Sequence, residues 1–373
     1  MTPLRVGLIG YGLAGSAFHA PLVEAVPGLT LASVVTSNPE RAAEVRSRHP
    51  DASVLGSAEE LFAAADSHEL VVIATPNRTH LALGLGAVEA GLHLVVDKPL
   101  ATSVADARQL ADAVAASGVV ASVFHNRRWD GDFLTLRRLL DGGELGSLVR
   151  LESRFERWRP EVDFGKWREG GGPEDAGGVL YDLGPHLIDQ ALALLGPARS
   201  VYAELRCVRP GAEVDDDAFV ALEHESGART HLWGSMMAAQ EGPRLRALGT
   251  KAAYVKWGLD VQEAALRAGG RPTDPGFGVE PPTAWGRLGT DDEAHPVETQ
   301  RGRYTEFYER MEQAIRTVSG ATPDAPAAAR PPAASPVARA AEPPVPLAAG
   351  IEVLRVIEAA RASAADRTVV QLS

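Results

Sequence analysis

Short unbroken apolar runs punctuate the first third of the chain, at Leu4–Ile9, Leu31–Val35, Leu70–Ala74, Leu92–Val96 and Val119–Phe124. Strands that are apolar on both faces predict a sheet covered on both sides, as parallel sheets are. The stretches between them, Ala17–Val26, Pro39–Arg48, His80–Ala90 and Val104–Ala116, have helical spacing and few β-branched residues. Ser57–Phe62 reads as one more short helix. Strand and helix in alternation predict βαβ units, and so an α/β class with a doubly wound parallel sheet. After a further helix at Asp130–Leu140 the texture changes. Leu148–Phe155, Ser200–Arg209, Ala218–Glu223, Thr230–Ser235, Arg244–Leu248 and Ala252–Lys256 alternate polar with apolar residues. That pattern predicts an α+β second domain built on an open, mostly antiparallel sheet with one wet face. The division falls after Phe124, giving residues 1–124 and 125–373. Residues 321–346 are crowded with Pro and Ala and read as an inserted linker, and Ala348–Ala362 as a closing amphipathic helix.

Composition narrows the partners. A net charge of −12 and a pI near 5.4 exclude a nucleic-acid partner, because phosphate backbones need clustered Lys and Arg. The single cysteine, Cys207, cannot form an internal disulfide, which suits a reducing cytoplasm, and it reads as a small apolar core residue rather than a nucleophile. No apolar stretch is long enough to span a membrane, and the first strand is too soon broken by glycine to be a leader. The expected partner is a small molecule.

Candidate chemistry begins at Gly10-Tyr11-Gly12-Leu13-Ala14-Gly15, which follows a strand and opens a helix. In that context a glycine triplet is a dinucleotide fingerprint, with pyrophosphate seated on a helix N-terminus. At the tip of the second strand an acid would hydrogen-bond the adenosine ribose and repel a 2′-phosphate. Here the sequence is Thr36-Ser37-Asn38-Pro39-Glu40-Arg41, with no acid at the tip. Thr36, Ser37 and Arg41 together favour NADP over NAD, although Glu40 weakens phosphate binding. The alternative is that Asn38 merely caps the helix and Arg41 is solvated. Thr75, Pro76 and Asn77 stand where a strand end would deliver them to the nicotinamide half of the cofactor, with His80 near the ribose.

Asp97-Lys98-Pro99 closes another strand at the same edge of the sheet. A lysine there would donate to a substrate oxygen as hydride leaves or arrives. Asp182, His186 and Asp189 are spaced to share one face of a helix, with Pro185 confined to its first turn. His186 would then take the hydroxyl proton, Asp182 would orient it or the substrate, and Asp189 would pair with His186 or cap internal structure. Two carboxylates and one histidine do not complete a zinc shell, so no metal is expected. Asn126, Arg127, Arg128 and Trp129 follow the sixth strand. Arg157-Trp158-Arg159 ends a long strand near glycines 170–172. Asn126, Arg127 and Trp158 are the candidate contacts for a polyhydroxylated ring, the alternative being that the arginines bind acidic surface and Trp158 packs under the sheet.

The order of glycine loop, Asp97-Lys98-Pro99 and Asp182-x-Gly-x-His186-x-x-Asp189 resembles the glucose-fructose oxidoreductase, inositol dehydrogenase and rhizopine catabolism (Gfo/Idh/MocA) family over nearly the whole chain. Phe124–Asp130 and Tyr181–Gln190 are similar to its branch of NADP-dependent scyllo-inositol dehydrogenases. The resemblance implies a Rossmann domain followed by a sheet used for dimer or tetramer contacts. It implies catalytic roles for Lys98, Asp182 and His186, with Asp97 where many members have Glu. The expected activity is NAD(P)-dependent oxidation of a secondary hydroxyl, or reduction of the ketone, of a cyclitol or sugar. A non-catalytic dinucleotide-binding regulator of the same fold is the alternative.

Overall fold

The computed structural model describes residues 2–165, 169, 175–320 and 342–372. Its first sheet has six parallel strands in the order β3-β2-β1-β4-β5-β6. These are β1 (Leu4–Ile9), β2 (Leu29–Val35), β3 (Ser53–Leu55), β4 (Leu70–Ile73), β5 (His93–Asp97) and β6 (Ala121–Phe124). Val6, Leu8, Val71, Val72, Val95 and Val96 are fully buried, as a sheet covered on both faces requires. The strand order reverses direction between β1 and β4, which opens a crevice at the carboxyl ends of those strands.

The helix starts are set by short polar side chains. Asn38 accepts from the Arg41 amide at 3.0 Å to cap α2 (Pro39–Arg48), Ser57 caps α3 (Ala58–Ala63), and Ser103 caps α5 (Val104–Ser117), which stops at Gly118 with φ +75°. The first helix departs from expectation. It opens as a wide π turn at Ala14–His19 and becomes α1 only at Ala20–Glu24. Helix α4 (His80–Glu89) lies between β4 and β5.

Helix α6 (Gly131–Asp141) leads into the second sheet, nine strands in the order β14-β13-β12-β11-β7-β10-β9-β8-β15. Strand β7 (Leu148–Glu156) runs parallel to β10 (Arg229–Ser235), and every other pairing is antiparallel. In β9 (Asp217–His224) burial alternates residue by residue, the mark of one wet face. The remaining strands are β8 (Ala198–Arg206), β11 (Leu245–Gly249), β12 (Ala253–Lys256), β13 (Gly286–Gly289), β14 (His295–Val297) and β15 (Val370–Gln371). Two short helices, α7 (Val179–Asp182) and α8 (Gly184–Leu195), fill the buried side, and α9 (Val261–Arg267) flanks the crevice. Cys207 lies just beyond β8 and is exposed, so it is not the core residue its strand pattern suggested.

The chain then returns to the first sheet. Helix α10 (Thr305–Val318) packs Phe307 edge-on against Phe124 of β6 with centroids 4.9 Å apart, and its Tyr308 hydroxyl lies 2.6 Å from His19 Nδ1. Helix α11 (Leu347–Asp366) packs against α5 and β6 on one side and β8 and α8 on the other. Residues 321–341 of the Pro/Ala stretch lie outside the described residues. Its end is docked: Val345 is fully buried, and its carbonyl accepts from the Val123 amide at 3.2 Å and the Ser122 hydroxyl at 2.9 Å.

Full burial pushes the His19 imidazole down to about 4, while Asp97 opposes that shift. The unfolded chain therefore takes up this proton first, at the ordinary value of 6.5. The stability tied to a neutral His19 is complete above that value and is lost as pH falls towards about 4. His19→Gln is expected to flatten the fall in Tm across this window, measured by thermal denaturation in a pH series. An unchanged slope would show that His19 titrates normally in the folded protein.

Candidate functional site

The crevice at the strand ends widens into a cleft of about 1040 Å³ between the two sheets. Its inner wall is the glycine loop. Gly10 has φ +97°, and a Cβ there would lie 2.5 Å from the Ala74 carbonyl oxygen. A Cβ on Gly15 would lie 2.1 Å from the Gly10 carbonyl oxygen, whereas one on Gly12 would meet nothing within 4 Å. The outer glycines thus hold the loop tight against β4 and itself, and the middle one leaves the space a pyrophosphate needs. Gly10, Tyr11, Gly12, Leu13 and Ala14 line the cleft, and Gly15 sits behind them. The Tyr11 ring is buried, with its hydroxyl 2.8 Å from His49 Nε2, and burial pushes the phenol up to about 12. Its ring serves the core and its backbone serves the loop. These residues fit a dinucleotide.

Thr36, Ser37 and Arg41 line the adjoining stretch of cleft. Asn38 does cap α2, and the exposed Arg41 guanidinium nonetheless borders the cavity. Thr75 and Pro76 line it as well. Asn77 and His80 do not. Asn77 donates to the Ala176 carbonyl at 3.3 Å, and His80 reaches the carbonyls of Pro99 at 2.9 Å and Thr75 at 3.0 Å. His80 is fully buried and ties the turn after β4 to the turn after β5.

At the end of β5 the Asp97 carboxylate accepts from the Lys98 amide at 2.8 Å, which fixes the turn. Lys98 Nζ then crosses the cleft and donates to the Asp182 carbonyl at 2.7 Å and to Asp182 Oδ1 at 3.2 Å. Asp182 and His186 are not on one helix, as their spacing suggested. Asp182 ends α7 and His186 lies in the first turn of α8, with a break at Leu183. Pro185 has no N–H for the Tyr181 carbonyl and its ring would clash there, so α7 cannot run through it. Pro185 does occupy the first turn of α8.

His186 is buried at the cleft wall, its ring stacked on Phe155 at 6.3 Å between centroids. Its Nδ1 is buried without a hydrogen-bond partner. Burial, reinforced by the charges of Lys98, Arg127, His125 and Arg244, pushes its pKa well below the ordinary value, so the ring is neutral at physiological pH. Asp189 does not pair with His186 but holds internal structure together. It accepts from Arg128 Nε at 2.9 Å and Nη2 at 2.7 Å, an ion pair at which the carboxylate is almost wholly buried.

Asn126 and Arg127 line the cleft. Arg127 is already held by Glu263 at 2.5 Å and Asp130 at 3.4 Å, with its guanidinium 4.6 Å above the Phe155 ring. Trp158 is 54% exposed and outside the lining. Side chains alternate along an extended strand, so Phe155, Arg157 and Arg159 face the cleft and Trp158 faces away. That two-residue rhythm was the available signal for Phe155, Arg157 and Arg159. Glu263 and Arg267, contributed by α9 from far along the chain, had none. Trp129 is buried against Phe307, and glycines 170–172 lie outside the described residues. Among the described residues no group of His, Cys, Asp and Glu is placed to hold a metal ion, and no helix is long and apolar enough to cross a membrane.

Residues 4–125 match the model of an oxidoreductase family with an NAD-binding Rossmann fold, and residues 133–255 match the GFO/IDH/MocA C-terminal domain. The chain is 42% identical over 371 residues to the Escherichia coli uncharacterized oxidoreductase YdgJ, covering 99% of each. It is 34% identical over 373 residues to the Bacillus subtilis scyllo-inositol 2-dehydrogenase (NADP(+)) IolW, covering 99% of this chain and 96% of that one. The solved structure of Bacillus subtilis yvaA superposes with a TM-score of 0.87 at 33% identity, covering 100% of this chain and 99% of the other.

Gly15→Ala drives a Cβ into rigid backbone and is expected to cost roughly 2 kcal/mol of stability, read as a lower Tm without ligand. Gly12→Ala is expected to leave Tm close to the parent's and to weaken binding of NADPH, followed by fluorescence titration. Equal losses of Tm in both variants would refute the division of labour within the loop.

Proposed function

The chain belongs to the GFO/IDH/MocA oxidoreductases, and we propose that it passes hydride between NADP and a secondary hydroxyl, or the corresponding ketone, of a cyclitol or sugar. The observation that carries this reading is the contact of Lys98 with Asp182 across a cleft that starts at the glycine loop and ends at His186. When bound, the nicotinamide supplies the acceptor or donor of hydride.

The rest falls to the chain. Neutral His186 takes the proton of the hydroxyl, as a base must be unprotonated to act. Lys98 Nζ donates to the oxygen on which negative charge develops. Asp182, by holding that ammonium from the far wall, keeps it at the reacting end of the cleft. Asp189 acts at a distance, since its pairing with Arg128 anchors α8 to the segment after β6. Asn126 supplies an amide for ring hydroxyls. The preference for NADP is supported by Thr36, Ser37 and Arg41 at the tip of β2, and by the cofactor in the printed name of the Bacillus subtilis relative.

Lys98→Met and His186→Asn are each expected to lower kcat by about a thousandfold while NADPH still binds. Because the surroundings of His186 lower its pKa, kcat/KM for oxidation should stay level as pH falls through 6.5 and decline only well below it. Full turnover in both variants would exclude the assigned roles. Arg41→Ala is expected to reduce the ratio of NADP to NAD efficiency about fivefold, the worth of one exposed ion pair. A parent enzyme that prefers NAD would overturn the phosphate reading.

A further inference from the structure

Arg157 stands just beyond β7, its amide donating to the Ser235 carbonyl at 2.8 Å. Its side chain lines the cleft, with the guanidinium 4.9 Å from the centre of the Phe155 ring. Among the described residues, the other two guanidiniums on that ring are committed. Arg127 holds Glu263 and Asp130, and Arg244 donates to Ser153 at 2.5 Å and Gln190 at 2.7 Å. The side chain of Arg157 makes no hydrogen bond or ion pair among the described residues, and the carboxylates around it are engaged by other cations. Asp182 is held by Lys98 at 3.2 Å, and Glu263 by Arg127 at 2.5 Å and Arg267 at 3.5 Å. Burial and the neighbouring charge of Arg159 together outweigh the pull of Asp182 and Glu263 and lower its pKa. A partly desolvated guanidinium facing substrate space with no anion of its own is costly to keep.

We propose that the substrate carries an oxyanionic group, a carboxylate or a phosphate, on its hydroxylated skeleton, and that Arg157 is the residue that receives it. This rests on the hydride-transfer reading of the same cleft. The planar fork of a guanidinium matches two oxygens of such a group and makes short charge-assisted hydrogen bonds to them. An anion anchored at Arg157 presents the rest of the molecule to Lys98 and His186, which line the same cavity. A neutral polyol would leave Arg157 desolvated and unpaired, so the site discriminates against it as well as favouring the acid. Stacking on Phe155 fixes the fork before the substrate arrives.

The test is a panel of neutral sugars and inositols beside their hexuronate, aldonate and hexose 6-phosphate counterparts, assayed with NADP and NADPH. The best acid is expected to exceed its neutral parent in kcat/KM by about thirtyfold or more, and Arg157→Gln to bring that ratio close to one. Arg157→Lys should restore part of it, which a merely structural role would not do. The carboxylate and phosphate arms identify which oxyanion is used. A parent enzyme that prefers neutral substrates, or a ratio unmoved by Arg157→Gln, overturns the proposal. So does an equal loss of NADPH affinity in Arg157→Gln, which would assign the residue to the cofactor. Calorimetry separates the two readings. If a panel acid binds in an Arg157-dependent way and nothing is turned over, the oxyanion site stands and hydride transfer fails. Turnover of neutral sugars without acid preference gives the reverse.

Discussion

The ion pair from Lys98 to Asp182 is the constraint on which the rest of the site depends. Its two residues come from different parts of the fold, one just after strand β5 and the other at the end of helix α7, and their side chains are only 10% and 23% exposed. Such a pair forms only if both backbones are already in place. The Asp97 carboxylate fixes the first by accepting from the Lys98 amide. Pro185 fixes the second by ending α7 where Asp182 stands. Removing either partner would leave the other desolvated without its counter-charge, which costs more than the pair contributes.

Around that pair the charges are sorted. The acids nearby are held by arginines, Asp189 by Arg128 and Glu263 by Arg127, and the charges that act most on the His186 ring are positive. The imidazole is thus kept neutral by its neighbours as well as by burial. The charges that act most on His186 are thus positive in a protein whose net charge is −12. Net charge and the charge around one buried ring are set separately, the first by the whole surface and the second by the few side chains that face it.

Long, strongly patterned elements were legible in the sequence. Five of the six strands of the first sheet, the capped helix α2 with its stated limits and the alternating strands of the second sheet all carry periodicity or capping chemistry in their own residues. Strands β3, β13, β14 and β15 are too short, or too rich in Gly and Pro, to carry either. In the site, the residues fixed by backbone, namely the glycine loop, Lys98 and Pro185, could be read locally. Partner choice could not. Whether Asp189 meets His186 or Arg128, and whether His80 meets ligand or carbonyl, is decided by segments remote in sequence. Trp158 shows the same limit in one residue, since its aromatic character suggested a sugar face and the strand rhythm turned it outward.

Helix α11 and the segment that leads into it give the fold a temporal order. The edge of the first sheet at β6 is closed by Val345, and its outer layer is completed by α10 and α11, which lie far downstream of its strands. During synthesis the six strands and the helices between them emerge before the residues that complete the cover at β6. An uncovered parallel sheet with an open edge is an aggregation-prone species. The nascent chain therefore carries exposed apolar surface at β6 until α10 and α11 have been made. The apolar side of α11 thus has two tasks, to shield that surface once it is made and to pack the finished protein.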